Sequence, residues 1–326
     1  MKRTILMSLL VIGAVVAVIV GATTAYFSDP ETATGTFSAG TIDISVDGHN
    51  PWNGSFEMKD LKPSETGTIE FKIHNTGSNP VVVWKHIGDV ATDTGVVTEP
   101  ECEDEGGTWA SDICTGNKPK DDIDTVTNYD LVAGGNVIFA DADNLTIADI
   151  QSMWMPLGTI PGGGDLAVKQ SYHMRGPDTG NWAQGDTMTF DIDLYAEQRL
   201  GPGPAQLSNK LFLDNKSGDP DWYFVADGTW GILTWGSSGE LVAQGLESGT
   251  GYDLITYVEP WPGTVGVICS GTSGSDGKLS VSNCDPTAGY EGKIWLVLDS
   301  DNDGSQMTAW QPTRYLFESN LVDIEP

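Results

Sequence analysis

Short stretches in which apolar and polar residues alternate constrain the fold of this 326-residue chain more than any other feature. In Gly67–His74 (GTIEFKIH), for example, Ile69, Phe71 and Ile73 all fall on one side. Alternation with a period of two is typical of a strand that is half buried in a sheet. Because clusters of Gly, Pro and Asn separate these stretches, the sequence predicts an all-β fold built from short strands. Further strands in the first 200 residues are predicted at Thr34–Val46, Ser55–Met58, Pro80–Ile87, Val137–Ala140, Leu157–Ile160, Leu166–His173 and Thr187–Tyr195.

Two segments of this first half depart from the strand pattern. Asn144–Trp154 (NLTIADIQSMW) places its large apolar residues at helical spacing, which predicts a short helix with one face toward the core. Asp89–Asp130 is polar and long, which predicts a loop-rich insert.

The clearest domain boundary is Gly201-Pro202-Gly203-Pro204, because Gly and Pro together stop regular structure. We therefore predict a β-sandwich domain over residues 41–200, a hinge at 201–204 and a second β-sandwich domain over 205–326. Strands of the second domain are predicted at Trp222–Ala226, Gly231–Trp235, Glu240–Gly245, Tyr252–Val258, Thr264–Ser270, Leu279–Ser282 and Lys293–Asp299.

The N-terminus has the pattern of an export signal. Two basic residues precede an apolar run, Ile5–Val20, which is shorter than the roughly 20 residues of a spanning helix. The small residues that follow predict cleavage by a signal peptidase between Ala25 and Tyr26. Residues 1–25 are then a signal peptide, and the mature protein is secreted and extracellular or at the cell surface. The alternative is an uncleaved anchor, which is the one membrane contact that we expect.

The charge of the chain is strongly acidic. It has 46 acidic and 16 basic residues, for a formal net charge of −30. Nucleic-acid binding needs clustered Lys and Arg, so we exclude a nucleic-acid partner. Such a charge repels other copies of the same protein, so any polymer should be sensitive to salt or to divalent cations. Adaptation to a salty medium is an equally good explanation of the composition.

Several motifs resemble one known family, and they are Ala25–Asp29 (AYFSD), Phe37–Ile44 (FSAGTIDI), Leu61–Ser64 (LKPS), Asn75–Gly77 (NTG) and Phe190–Gln198 (FDIDLYAEQ). They are similar to the TasA/camelysin family, whose members are secreted bacterial and archaeal proteins exported with a dedicated class of signal peptidase. Residues 87–136 depart from the family pattern.

The resemblance implies a jelly-roll β-sandwich that polymerises into extracellular filaments, as in a biofilm matrix. In such filaments the mature N-terminal segment inserts as a strand into the next subunit. Here the donor segment is predicted at residues 26–40, with Phe27 and Phe37 as apolar anchors and with Ile42 and Ile44 continuing the strand. The physics is β-augmentation, and head-to-tail pairing that does not close gives an open filament of identical chains. The alternative is a tail that packs on its own domain.

A second hypothesis is a monomeric cell-surface module whose C-terminal domain recognises a glycan or a partner protein. That domain is rich in aromatic residues, most of which we expect in the core. A few of them could form a face that stacks on sugars. The aromatic residues concerned are Trp222, Tyr223, Trp230, Trp235 and Trp295.

Catalysis finds little support in the sequence, and we predict that the protein is not an enzyme. Its histidines, His49, His74, His86 and His173, are scattered, and none lies in an HExxH motif. No G-x-S-x-G motif is present. Camelysin relatives have been labelled metallopeptidases, so a secreted protease is a third hypothesis.

No cofactor is predicted apart from calcium at Asp299, Asp301 and Asp303. These three carboxylates alternate before Gly304, as in the first half of a calcium loop. The EF-hand pattern then fails, because its twelfth position is Trp310. The alternative is a solvated acidic turn.

The four cysteines form two close pairs in the sequence. In an exported protein such pairs usually form disulfides, so we predict Cys102–Cys114 and Cys269–Cys284. Three sequons, at Asn53, Asn144 and Asn215, are candidate glycosylation sites.

Overall fold

The computed structural model describes residues 28–31, 42–52, 55–58, 65–117, 121–176, 179–183, 185–198, 201–218 and 221–324. Antiparallel strands dominate these residues, which confirms the predicted all-β fold. The strands before residue 200 are β1 (Ser28–Glu31), β2 (Ile44–Val46), β3 (Ser55–Met58), β4 (Thr66–Asn75), β5 (Val81–Asp93), β6 (Thr108–Ala110), β7 (Ile113–Thr115), β8 (Thr127–Ala133), β9 (Asn136–Phe139), β10 (Met155–Ile160), β11 (Asp165–Met174) and β12 (Thr187–Gln198).

Two five-stranded sheets pack face to face in this half of the chain, which we call the two-sheet region (residues 28–198). One sheet has the order β1-β12-β5-β10, with β3 also paired to β12, and the other has the order β2-β4-β11-β8-β9. Alternate residues along the strands point inward, so that Val83 and Ile192 of one sheet share a core with Ile73 and Leu131 of the other. The arrangement is a β-sandwich.

The core of the two-sheet region contains a polar chain. Lys85 is fully buried, and its Nζ donates to the Tyr129 hydroxyl at 2.8 Å. That hydroxyl donates in turn to Gln170 Oε1 at 3.0 Å. Burial lowers the pKa of Lys85 and raises the pKa of Tyr129. Both shifts favour the neutral forms of these groups in the sandwich.

After residue 200, all nine strands belong to one curled sheet. Eight of them follow the order β17-β16-β19-β20-β13-β14-β15-β18, and the ninth, β21, pairs with β19. We call it the nine-stranded region (residues 210–324). Where two packed sheets were expected, hydrogen bonding through β20 and β13 joins the strands into a nearly closed barrel. Its strands are β13 (Lys210–Asn215), β14 (Trp230–Thr234), β15 (Glu240–Gln244), β16 (Gly251–Val258), β17 (Thr264–Thr272), β18 (Leu279–Ser282), β19 (Glu291–Leu298), β20 (Leu316–Glu318) and β21 (Val322–Asp323).

The helices are shorter than the sequence predicts. The segment Asn144–Trp154 contains only one helical turn, α2 (Ile147–Ile150), capped by Thr146, whose Oγ1 accepts from Asp149 N at 3.3 Å. The turn stops because Gln151 is extended and Ser152 has a left-handed φ of 64°. The predicted loop-rich insert contains a helix, α1 (Glu99–Asp104), and the hairpin β6–β7.

The predicted strand at Trp222–Ala226 is not formed, since only an isolated bridge joins Phe224 to Lys216. Two strands that the sequence analysis missed, β13 and β20, lie at the centre of the nine-stranded sheet. Leu213 and Phe317 on these strands are 0% and 3% exposed. Residues 222–226 instead form an irregular segment beside the sheet, and Trp222 packs against the core of the region.

The two regions pack directly on each other. Phe139 makes edge contacts with Phe212 and Trp230, at ring-centroid distances of 5.5 and 5.6 Å. The Trp84 indole donates to the Ser319 carbonyl at 2.9 Å. Within the predicted hinge, Gly203 has a φ of 80°, and a Cβ there would meet Asn320 at 3.0 Å, so only glycine fits without strain.

No helix in the described part of the chain has the length and apolar character needed to cross a membrane.

Candidate functional site

One edge of the two-sheet region is completed by the N-terminal segment. β1 pairs antiparallel with the last residues of β12, with Ser28 opposite Glu197 and Glu31 opposite Leu194. β3 pairs with the other half of the same edge. Pro30 has no backbone N–H, which restricts β1 to the outermost position of a sheet.

The side chains behind this edge are buried. Glu197 is 1% exposed, and its Oε2 accepts from Gly203 N at 2.9 Å. Burial raises the pKa of Glu197 to about 7, against the lowering effect of that hydrogen bond. The end of β12, the hinge and the docked segment therefore form one connected site.

The predicted donor residues divide into two groups. Ala25, Tyr26, Phe27 and Phe37 lie outside the described residues. Ile42 and Ile44 are 1% and 0% exposed in the core of their own sandwich. The strand that contains Ile44 pairs with β4 of the same chain. The donor segment thus lies N-terminal to Ile42 in any exchange between copies.

A second site is a cleft of about 520 Å³ at the junction of the two regions. Val82 and Trp84 line it on one side, and the start of the hinge lines its base. The wall contributed by the nine-stranded region is mainly aromatic. Its rings are Trp222, Phe224, Trp295, Trp310 and Phe317.

The rings of the aromatic wall pack on one another in tilted and edge-on contacts. Trp310 contacts Trp222 and Trp295 at centroid distances of 5.8 and 5.6 Å. It also contacts Trp261, just outside the cleft, at 5.5 Å. Trp310 and Trp261 remain 37% and 52% exposed, so two indoles are available at the mouth.

Charged groups are set among these rings. The Lys216 ammonium lies 4.6 Å from the centre of the Phe224 ring and 5.4 Å from that of Phe317. Burial lowers the pKa of Lys216, while nearby Glu318 raises it. Glu318 is 7% exposed, and burial raises the pKa of its carboxyl. The cleft therefore combines indole faces with a cation and a carboxyl group.

The sequence analysis found only part of this wall. Of the five aromatic residues that it considered, Trp222 and Trp295 line the cleft. Trp230 is buried against Phe139, and neither Tyr223 nor Trp235 lines the cleft. Trp310 and Phe317 were missed, although the aromatic-rich segment Met307–Glu318 was a visible signal.

Three of the histidines lie beside carboxylates. His74 Nδ1 is 2.7 Å from Asp165 Oδ1, and His86 Nδ1 is 3.1 Å from Asp193 Oδ2. His173 lies near two carboxylates, with Nε2 2.7 Å from Asp141 Oδ1 and Nδ1 3.7 Å from Asp130 Oδ2. His49 forms a bridge with Val46 at the end of β2.

Two of the three predicted calcium residues, Asp301 and Asp303, have separate protein partners. Asp301 is 3% exposed, and its carboxylate accepts from Tyr315 Oη and, at 3.0 and 3.1 Å, from Gln311 Nε2. Asp303 Oδ1 accepts from the backbone N–H groups of Ser305 and Gln306, at 2.9 Å each. This arrangement does not favour a shared ion at Asp299, Asp301 and Asp303, and calcium there stays a prediction.

Both predicted cysteine pairs lie at bonding distance. The Sγ atoms of Cys102 and Cys114 are 2.03 Å apart, and those of Cys269 and Cys284 are 2.08 Å apart. The first disulfide joins α1 to β7. The second joins β17 to the segment after β18, and these two strands are the free ends of the nine-stranded sheet. It therefore bridges the open seam of the barrel.

The sequons differ in accessibility. Asn144 is exposed, with a left-handed φ of 55°. Asn215 is half-buried at the end of β13, and its Nδ2 donates to the Thr313 carbonyl at 3.4 Å. Asn53 lies outside the described residues. Glycosylation at the three positions stays a prediction.

A family profile matches the first part of the chain. The sequence profile of the Camelysin metallo-endopeptidase family matches residues 1–202, which is more than half of the chain. No curated protein matches the chain. The match covers the two-sheet region and ends inside the predicted hinge.

The family description implies a metal ion, and one side-chain group can be tested for it. Among the described residues, only Asp130, Asp141 and His173 form a group of three or more potential ligands whose donor atoms converge. Two buried oxygens on the same strand, Asp130 Oδ1 and Asn128 Oδ1, have no hydrogen-bond partner. This nitrogen-and-oxygen donor set fits a divalent ion.

The same group does not reproduce the HExxH arrangement, because that motif is absent from the sequence. The match over residues 1–202, together with the β-sandwich that those residues form, assigns the chain to the TasA/camelysin family.

Proposed function

We propose that this protein is a secreted structural protein that forms extracellular or cell-surface filaments by donating its N-terminal strand to the next copy. The observation that carries the proposal is the pairing of β1 with the edge of β12. The same backbone hydrogen bonds can form with β1 of a neighbouring copy, because an antiparallel pair does not depend on which chain supplies the strand.

The length of the connection supports exchange between copies. Ten residues, 32–41, join β1 to the first buried residue of the sandwich. Fully extended, they span about 35 Å, roughly the diameter of a small domain. A segment of this length can reach the β12 edge of an adjacent subunit.

The position of β1 also favours a linear assembly. Because Pro30 lacks an N–H, a further strand is disfavoured on the outer side of β1. Each docked segment therefore ends the sheet, and growth proceeds through one donor and one acceptor edge per subunit. Head-to-tail contacts of this kind give an open filament.

A structural role also agrees with the chemistry of the chain. Its sequence has no HExxH motif, and the family to which it belongs is described as a metallo-endopeptidase family. We propose that this member is not an enzyme. Casein incubated with the protein should remain uncleaved, and cleavage that a chelator stops would contradict this.

Electron microscopy of two purified forms tests the filament proposal. A chain beginning at Tyr26 keeps the donor segment, and a matched chain beginning at Gly40 lacks it. We expect filaments from the first form and monomers from the second, at equal concentration and with salt sufficient to screen the charge of −30. Monomers from both forms would reject the proposal.

The cleft favours a second candidate function, which is glycan binding at the cell surface. Exposed indoles stack on sugar rings, and the polar groups of Lys216, Glu318 and Asn320 can bond to hydroxyl groups. Such binding is compatible with a filament, because no residue of β1 lines the cleft.

A glycan array tests this second candidate. We expect wild-type protein to bind one class of glycan and Trp310→Ala to lose at least tenfold in signal. Trp235→Ala, a tryptophan substitution outside the cleft, is the matched control and should bind like wild type. The absence of any bound glycan, or equal binding by Trp310→Ala, would exclude the cleft as a glycan site.

A further inference from the structure

A group of polar side chains lies on the outer face of the sheet formed by β4, β8 and β11. His173 on β11 is directly opposite Asn128 on β8, and Ser171 is opposite Asp130. Side chains of directly opposed residues share one face of a sheet, with Cβ atoms about 5 Å apart. Asn128, Asp130 and His173 therefore project to the same side.

A short turn brings a third ionisable group over this face. Asp141 lies in the 3-10 turn Asp141–Asp143, which follows β9. Its Oδ1 is 2.7 Å from His173 Nε2, while Asp130 Oδ2 is 3.7 Å from His173 Nδ1. One donor atom from each of the three residues lies within 4.8 Å of the other two.

Two oxygens beside this group lack partners. Asn128 is 2% exposed, and its Oδ1 has no hydrogen bond in the described structure. Asp130 Oδ1 is also buried and unpaired. A buried acceptor without a donor is unfavourable, and native structures contain few of them. Both atoms are oxygens on the face that carries His173. Each therefore lacks a hydrogen-bond donor or a cation.

We propose that Asp130, Asp141 and His173 bind a divalent transition-metal ion of the Zn²⁺ type, with Asn128 Oδ1 as the fourth donor. One imidazole and several oxygens suit zinc, whose bonds to such ligands are about 2.0–2.2 Å long. Calcium and magnesium prefer oxygen-only shells.

The donor atoms of Asp130, Asp141 and His173, which lie within 4.8 Å of one another, must move closer together to bind one ion. Ligands of a tetrahedral zinc ion lie about 3.4 Å apart, which follows from bonds of about 2.1 Å. The Asp141 side chain is 77% exposed and free to move, whereas His173 and Asp130 are 18% and 22% exposed and held by their strands. Asp141 therefore acts as the mobile ligand.

The location suggests what the ion would do. Asp143, two residues from Asp141, accepts from Gln244 Nε2 at 2.6 Å and from Trp230 Nε1 at 3.3 Å. Both partners belong to the nine-stranded region. An ion that ties the Asp141–Asp143 turn to β8 and β11 would therefore stiffen the junction between the two regions. The role is structural and is independent of strand donation.

Thermal unfolding tests the site without any activity assay. Full-length protein is stripped with EDTA, desalted and melted in 0.15 M NaCl with either ZnCl₂ or MgCl₂. The Mg²⁺ sample measures general screening of the acidic chain. At saturating Zn²⁺ we expect Tm to rise by roughly 3 °C or more above the Mg²⁺ value. Titration calorimetry should give one strongly bound Zn²⁺ per chain.

Two variants and one control locate the binding. Asp141→Asn changes an exposed side chain and should abolish the zinc-dependent rise while the Tm without zinc stays near the wild-type value. His173→Gln should abolish the rise as well. His74→Gln removes another His–Asp pair of the same sheet and should keep the wild-type rise. A wild-type protein without a zinc-specific rise, or an equal rise in Asp141→Asn, would overturn the proposal and leave a hydrogen-bonded Asp–His–Asp group only.

Discussion

The two-sheet region and the nine-stranded region cover the edges of their sheets in different ways. The nine-stranded sheet curls until β17 and β18 approach, and the Cys269–Cys284 disulfide bridges the seam. In the two-sheet region, half of the β12 edge is covered only by the four residues of β1, at the end of a long connection. Exposed strand edges are the usual sites of pairing between chains. Under the filament proposal, assembly uses the open edge of the first region, whereas the disulfide-bridged sheet of the second leaves no comparable edge.

The two regions also differ in their buried charges. The two-sheet region contains Lys85, Glu101 and Asp186 at 0–2% exposure without an opposite charge at ion-pair distance in the described structure. The nine-stranded region buries Glu318 near Lys216, which moderates the pKa of each group. It also buries Asp214 and Asp301 without a cation at ion-pair distance in the described structure, but it has no buried, unpaired lysine like Lys85 among its described residues. Unpaired buried charge makes a fold less stable. The first region should therefore be the less stable of the two and the more sensitive to pH.

The largest effect is expected at the junction between the regions. Phe212→Ala removes a fully buried ring that packs on Phe139. Truncation of a buried Phe costs about 3–5 kcal/mol. We expect scanning calorimetry to show two separate transitions in place of a single one. Val258→Ala, at a position 53% exposed, is the control and should melt like wild type. A single transition in Phe212→Ala at the wild-type Tm would show that this contact does not couple the unfolding of the two regions.

The two disulfides should differ in their effect. Replacing Cys269 and Cys284 by Ser opens the barrel seam and should lower the free energy of unfolding by about 3 kcal/mol in the chain-entropy account. Replacing Cys102 and Cys114 releases only α1 and the small β6–β7 hairpin, which form part of the insert. Denaturant unfolding should shift more for the first pair than for the second, because no residue of α1 or of the β6–β7 hairpin belongs to the core of either region. Equal shifts would contradict the seam assignment.

The pH dependence separates the regions further. Burial, reinforced by Glu101, Asp121 and Asp93, raises the pKa of Asp186 to about 7. The folded protein then binds more protons than the unfolded chain between about pH 4 and pH 7, so stability falls as pH rises through that range. Asp186→Asn removes this loss, and we expect it to stabilise the protein by about 2 kcal/mol at pH 8 and to leave stability at pH 3.5 unchanged.

Asp285 supplies the matched contrast in the nine-stranded region. Backbone N–H groups of Gly236 and Gly239 donate to its carboxylate at 2.9 Å each and lower its pKa. Its contribution to stability is therefore present at neutral pH and is lost as pH falls through the lowered pKa. Asp285→Asn should destabilise slightly at pH 7 and less at low pH. Urea unfolding at several pH values measures both variants, and slopes of the same sign would contradict this contrast.

The smallest effect is expected at the N-cap of α2. Thr146 accepts from Asp149 N, and the Asp149 carboxylate accepts in return from Thr146 N at 2.9 Å. Thr146→Ala should cost about 1 kcal/mol, which is typical for the loss of an N-cap. Because the junction between the regions stays intact in this variant, scanning calorimetry should show one transition at a slightly lower Tm. Thr234→Ala, on β14, is the control.

The sequence predicts the parts of the fold that rest on local patterns. Alternation found β4 and β11 nearly to their ends, since both strands have one buried and one exposed face. It missed β13 (KLFLDN), whose consecutive apolar residues are buried on both faces, and β20, which has only three residues. The helix at Asn144–Trp154 was predicted too long, because pairing of Met155 with Lys85 takes the end of the segment into β10.

The candidate sites depend on contacts that no local pattern records. Asp130 and His173 are 43 positions apart in the sequence and meet only because β8 pairs with β11. The cleft likewise joins Trp84 to Trp310 through the packing of two regions. The donor segment was predicted from family motifs. The pairing of β1 with β12 could be identified only from the structure.

The most direct test of strand donation uses a pair of introduced thiols. Asp29 and Ala196 are opposite each other in the β1–β12 register. The chain beginning at Tyr26 and carrying both D29C and A196C is allowed to assemble, is oxidised, and is run on a denaturing gel without reductant. Each single variant serves as a control and can give no more than a dimer. If β1 is donated to the next copy, the double variant should form a ladder of covalent oligomers that reductant collapses to monomer. A single band of internally cross-linked monomer would mean that β1 stays on its own chain. That result would contradict the account whether or not wild-type protein forms filaments at the same concentration.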